Sequence, residues 1–212
     1  NGTRTRYRIC IHGEFIMGIS DDYLKPRYRS YLKNNLSERK NIKVAWLGQQ
    51  DPNYEMSTNV GMFHNLKDLF VDCTHHFYDI ENKRSWDVHD KWVDIKGYDL
   101  VLCLRLTYLV QSSYHLLREM KKTAESNKTL ISDFVSGNIQ DGVMSWKSDN
   151  LVCYLPEYYN MPTNLEYSVT DKDHLLTKEM LNDNFLEINS HEHFIDPKNR
   201  HYIIGKVSRK WK

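Results

Sequence analysis

The sequence predicts an α/β layer fold with a mainly parallel sheet that closes on an antiparallel hairpin, and three observations carry that expectation. Short apolar runs rich in Val, Ile and Leu alternate with segments of helical period, as strands and crossover helices do. One well-patterned helix, SSYHLLREMKKTAES (112–126), lies between two such runs and so reads as the crossover of a parallel βαβ unit. The last two runs are joined only by DPKNR, which is too short for a parallel connection and therefore makes a hairpin.

In chain order, the first strand candidate is YRICIHG (7–13), followed by a helix over DDYLKPRYRSYLKNNL (21–36). IKVAWLG (42–48) is the next strand, NVGMFHNLKDLF (59–70) the next helix and THHFYDI (74–80) the strand after it. YDLVLCLRL (98–106), the helix over 112–126 and TLISDFV (129–135) form the βαβ unit. In that helix Leu116, Leu117 and Met120 make one apolar face, Ser112 or Ser113 caps the start, and Lys121 and Lys122 suit the negative end of the dipole. NLVCYL (150–155) is a further strand and KDHLLTKEMLNDN (172–184) a further helix, before NFLEINSHEHFI (184–195) and HYIIGKV (201–207). Eight strand candidates suffice for one sheet, and the 212 residues fit a single domain over 1–212. Residues 136–170 are long, turn-rich and aromatic, which suits a substrate-side insertion acting as a lid or binding loop and equally an irregular surface insertion.

Composition narrows the function classes. Lys plus Arg number 29 against 28 for Asp plus Glu, so no global field calls for a nucleic acid or a membrane. Basic residues at the termini (Arg4, Arg6, Arg8, Lys206, Arg209, Lys210, Lys212) leave a nucleic-acid partner possible without favouring it. No run approaches the roughly 18 apolar residues of a membrane span. Cys10, Cys73, Cys103 and Cys153 sit singly with no CxxC spacing, the usage of buried thiols. The chain reads as soluble and cytoplasmic, with a small-molecule or nucleotide-like substrate; no feature assigns an oligomeric state. His191 and His193 alternate on a strand and so share a face, but an edge hairpin with polar faces accounts for them, and no metal is expected.

The strand YDLVLCLRLTYLV, the helix SSYHLLREMKK, the strand TLISDF, the insertion, the helix LLTKEML and the hairpin ending HYIIGKV together resemble the second half of the class I S-adenosylmethionine-dependent methyltransferases, over residues 97–207. Upstream, FYDIENKRSWDVHDKWVDIKGYDLV is similar to a compact version of that family's middle. The resemblance implies a Rossmann-like sheet with helices on both faces, S-adenosylmethionine as cofactor and methyl transfer as activity. It implies that Asp79 (or Glu81) accepts hydrogen bonds from both ribose hydroxyls, since a carboxylate offers two oxygens to a vicinal diol. Asp87 or Asp90 would accept from the adenine amino group, and Gly48, Gln49, Leu104 and Arg105 would line the rest of the cofactor site. Residues just past the end of a central parallel strand face the ligand, which places Arg105, Thr107 and Tyr108 at that edge.

The family's first loop carries an acid and a Gly-x-Gly. VAWLGQQDPNYEM keeps Gly48, lacks the second glycine and has Trp46 where a small or acidic residue is usual. Another registration takes ICIHGEFIMG as the first strand with Gly13 and Gly18 as its loop, but it leaves too many elements before residue 98. Tyr108, Asp133, Trp146, Glu157 and Tyr158 are the candidates on the acceptor side, and no catalytic base is assigned among them. The alternative function is a non-catalytic Rossmann-like binding or assembly module whose altered loop has lost the cofactor.

Overall fold

In the computed structural model, residues 18–53, 61–79, 86–88, 90–107, 113–136, 151–153, 175–195, 197 and 201–210 are described. The helix α1 (Gly18–Asn35) precedes β1 (Lys43–Leu47), α2 (Gly61–Leu66), a 3₁₀ turn (Lys67–Leu69) and β2 (Thr74–Tyr78). Then come β3 (Leu100–Cys103), α3 (Ser113–Ser126), β4 (Leu130–Ser136), β5 (Leu151–Cys153), β6 (Leu175–Thr177), α4 (Lys178–Asp183), β7 (Leu186–Ile195) and β8 (His201–Arg209).

Six strands form the main sheet in the order β2-β1-β3-β4-β8-β7. The first four are parallel, and β8 and β7 close the sheet antiparallel. This is the expected Rossmann-like α/β architecture. Both faces are covered, so the central strands are apolar throughout rather than alternating. On one face Val44, Trp46, Leu100, Leu102 and Ile131 pack under Leu24, Tyr28 and Leu32 of α1 and Met62, Phe63 and Leu66 of α2. On the other, Ala45, Leu47, Val101 and Cys103 pack under Leu116, Leu117 and Met120 of α3 and under Val88, Trp92 and Ile95. The three α3 side chains have no exposed surface, and burial of each stabilises by roughly 1.5–3 kcal/mol. No helix among the described residues is long and apolar enough to cross a membrane.

Three expectations change in detail. The run NLVCYL does not join the main sheet: β5 pairs with β6 in a separate two-stranded sheet. Leu175–Thr177, expected inside a helix over 172–184, is strand β6, and α4 begins only at Lys178. Pairing with Leu151–Cys153 supplies backbone partners that the local helical period does not reveal. The run expected as a strand over 98–106 ends at Cys103, because Arg105 adopts a left-handed φ of 60°. The candidate strand over 7–13, the alternative Gly13 loop and most of the insertion lie outside the described residues.

Candidate functional site

After β1 the chain crosses to β2 on one side, then returns past β1 to β3 on the other. The carboxyl ends of β1 and β3 therefore form the point where strand order reverses, and a parallel sheet offers its ligand crevice there. The sequence delivers three residue types to these tips: a glycine after β1, an acid after β2 and an arginine after β3.

Gly48 follows β1 with φ 67°, and its N–H donates to the Tyr78 carbonyl at 2.7 Å. Because Leu47 is paired with Tyr78, this bond sets Gly48 beside Asp79. A Cβ at position 48 would lie 2.8 Å from Leu106 Cδ1, so glycine is required both by the backbone angle and by the close approach of the β3 tip. Gln49 is buried and folds back: its Oε1 accepts from the N–H groups of Met62 (2.8 Å) and Phe63 (3.3 Å), and its Nε2 donates to the Gly48 carbonyl at 2.9 Å. Gln49 thus ties the β1 tip to the start of α2. Trp46 points away from the crevice, into an aromatic cluster with Phe63 and Phe70, and its Nε1 donates to His75 Nδ1 at 3.0 Å.

Asp79 is half-buried at the β2 tip, and its carbonyl accepts from the Trp86 N–H at 3.1 Å. That bond brings the next acidic segment back to the tip. Asp87 is half-buried and its carbonyl accepts the Asp90 N–H at 2.9 Å in a turn that leaves Asp90 exposed. The segment is seated by α3. Glu119, fully covered, accepts from the Trp92 N–H at 3.0 Å, from Lys122 Nζ at 2.8 Å and from Arg118 Nε at 3.2 Å. Burial pushes its carboxyl up, but the bonds from Lys122, Trp92 and Arg118 together hold it below the usual carboxylate range. A cavity of about 550 Å³ opens on this face beside β2, with walls that include Tyr78, Trp86, Tyr98 and Lys43. The Tyr78 and Tyr98 hydroxyls are bonded to each other there at 2.7 Å.

Leu104 is buried in the α1 and α2 face, and the half-buried Arg105 follows it at the tip. A non-glycine residue in the left-handed region costs on the order of 1 kcal/mol. Asp133 opposes that cost: its Oδ1 accepts the Arg105 N–H at 2.7 Å, its Oδ2 accepts the Tyr28 hydroxyl at 2.5 Å, and its carbonyl accepts the Thr107 hydroxyl at 2.8 Å. Asp133 has no exposed surface, and burial pushes its carboxyl up to about 6, against the lowering effect of the Tyr28 and Arg105 bonds.

The structure therefore brings Gly48, Asp79, Leu104 and Arg105 to neighbouring strand tips, with Asp87 and Asp90 on the segment tied to Asp79. Tyr108, Trp146, Glu157 and Tyr158, along with Glu81, lie outside the described residues. His191 and His193 are exposed on β7; His191 falls within the bulge between Asn189 and Glu192, and His193 follows it, paired with Ile203. Sequence reasoning did not single out Tyr28, Leu106 or the Glu119–Trp92 contact; the Glu of LLREM was the only visible signal for the last.

No protein-family model and no curated protein matches this sequence. Its fold is similar to that of solved structures at low identity. A 1,6-didemethyltoxoflavin-N1-methyltransferase from Burkholderia thailandensis, with bound 1,6-didemethyltoxoflavin and S-adenosylhomocysteine, superposes with a TM-score of 0.51 at 9% identity, over 91% of this chain and 80% of that one. Magnesium protoporphyrin IX methyltransferase from Synechocystis PCC 6803, with bound S-adenosylhomocysteine, gives 0.50 at 12% identity, over 94% and 91%. The CurJ carbon methyltransferase gives 0.52 at 8% identity, over 89% of this chain and 54% of that one. In fold, this chain resembles the class I S-adenosylmethionine-dependent methyltransferases.

Proposed function

We propose that the chain is an S-adenosylmethionine-dependent methyltransferase acting on a small-molecule, sugar or nucleobase acceptor. The observation that carries this reading is the juxtaposition of Gly48 and Asp79 at the tips of β1 and β2, beside the strand-order reversal between β1 and β3. The local residues fit the nucleoside part of such a cofactor. Gly48 leaves backbone where a Cβ would collide with Leu106, and Asp79 supplies a two-oxygen acceptor for a vicinal diol. Asp87 or Asp90 accepts from the adenine amino group, and Leu104 and Arg105 close the β3 side, with Gln49 holding the β1 tip in place. When bound, the cofactor supplies a methyl group on a sulfonium, activated for in-line displacement. The protein's part is alignment: it fixes the nucleoside, excludes water and orients the acceptor toward the methyl group.

Thermal unfolding with S-adenosylhomocysteine tests this directly. Ligand at about a hundred times its Kd adds roughly 2.7 kcal/mol, which raises Tm by several degrees. Asp79→Ala is expected to abolish that rise, measured against the variant's own unliganded Tm. No rise with the folded wild-type chain sinks the reading and leaves the non-catalytic module in its place.

A further inference from the structure

We propose that Asp133 is a positioning residue: clasped between the Tyr28 hydroxyl of α1 and the Arg105 N–H, it holds the tip of β3 in the shape that forms one wall of the nucleoside crevice. Its consequence for cofactor affinity rests on the methyltransferase reading above; its hold on the β3 tip does not.

The argument starts from Arg105. Nothing in an arginine side chain favours a φ of 60°, so the surroundings must impose it. Asp133 grips the turn at both ends, through its side-chain Oδ1 on the Arg105 N–H and through its carbonyl on the Thr107 hydroxyl. Thr107 and Asp133 both lack exposed surface, so water does not compete for the bond between them, and the Arg105 N–H bond is part-buried. Leu106 lies between the two gripped residues, and its Cδ1 fills the space against Gly48. The position of this turn therefore sets the contact between the β1 and β3 tips. The remaining oxygen, Oδ2, takes the Tyr28 hydroxyl, and Tyr28 is itself fully buried on α1. A chain of contacts thus runs from α1 through β4 to the β3 tip. With both oxygens engaged inside the protein, the carboxylate is placed to orient the tip rather than to touch the acceptor.

The test compares Asp133→Asn, Asp133→Ala and Tyr28→Phe by amide hydrogen exchange at Arg105 and by the Kd for S-adenosylhomocysteine. Asn keeps an oxygen for the Arg105 N–H, so both readouts are expected within about twofold of wild type. Ala strands a part-buried N–H, so exchange at Arg105 should quicken about tenfold or more and the Kd weaken about tenfold, while the far-ultraviolet spectrum stays that of a folded chain. Should Asp133→Ala not fold, Tyr28→Phe serves: it keeps the ring in the core and releases one side of the clasp, with a several-fold change expected in both readouts. Slow exchange at Arg105 in a folded Asp133→Ala or Tyr28→Phe chain overturns the proposal, as does an Asn variant no better than Ala. If wild type fails to bind S-adenosylhomocysteine, the methyltransferase reading fails, and Arg105 exchange alone decides whether Asp133 holds the tip.

Discussion

Two carboxylates without exposed surface lie on opposite sides of the sheet, and the protein treats them in opposite ways. Glu119, on the α3 side, is covered by Lys122 and Arg118, whose own side chains remain about half exposed. It is shallow, surrounded by cations, and held ionised. Asp133, on the α1 side, receives its two side-chain hydrogen bonds from neutral donors, a tyrosine hydroxyl and a backbone N–H. Its carboxyl is pushed up to about 6 by burial, and the Tyr28 hydroxyl beside it is pushed up as well, by burial and then by the Asp133 charge. Each acid positions backbone near the candidate crevice: Glu119 seats the segment behind Asp79 through Trp92, and Asp133 shapes the β3 tip through Arg105. The difference teaches that one face secures its loop with charge pairing, and the other with a desolvated clasp that is costly to ionise.

The largest expected effect follows from that contrast. The native pKa of Asp133, about 6, exceeds its ordinary value of 3.8, so the native chain holds a proton there that the unfolded chain has released. Its contribution to stability is fully present below about pH 4 and lost as pH rises through about 6. The difference in unfolding free energy between wild type and Asp133→Asn should therefore shift against wild type by roughly 3 kcal/mol across that window, as followed by urea denaturation. The groups coupled to Asp133 are Tyr28, Arg105 and Cys103, and Tyr202 acts in turn on Tyr28. A flat difference from pH 4 to 7 breaks the contrast. A smaller effect is expected on the other face. Glu119→Ala strands the Trp92 N–H and should cost about 1–3 kcal/mol, with faster amide exchange over 90–95, whereas Glu119→Gln, which keeps an acceptor, should cost less than about 1.5 kcal/mol. Equal losses for the two variants would mean that charge, not the Trp92 bond, is what matters there.

Much of the architecture was legible from local pattern. The apolar run around Leu100–Cys103, the face of Leu116, Leu117 and Met120, and the short DPKNR link each have one stable arrangement in an α/β layer fold. What stayed hidden depended on partners distant in sequence. Strand β6 looks helical until Leu151–Cys153 is set beside it. Asp133 is the one charged residue in TLISDFV, and its partner Tyr28 lies 105 residues earlier. Trp46, out of keeping with the family's first loop, is accounted for once the strand is oriented: it faces Phe63, Phe70 and His75, not the crevice. The candidate site was legible at Gly48 and Asp79 because a glycine and an acid ending neighbouring strands are visible in sequence, whereas the fit of Leu106 over Gly48 is not.

The central claim is that the tips of β1, β2 and β3 enclose a nucleoside. Titration of isotopically labelled protein with S-adenosylhomocysteine, followed through backbone amide resonances, tests it most directly. Saturable shifts greatest at Gly48, Asp79, Trp86 and Arg105, with the β7–β8 hairpin unmoved, are the expected result. Saturation with Gly48 and Asp79 unperturbed would contradict it.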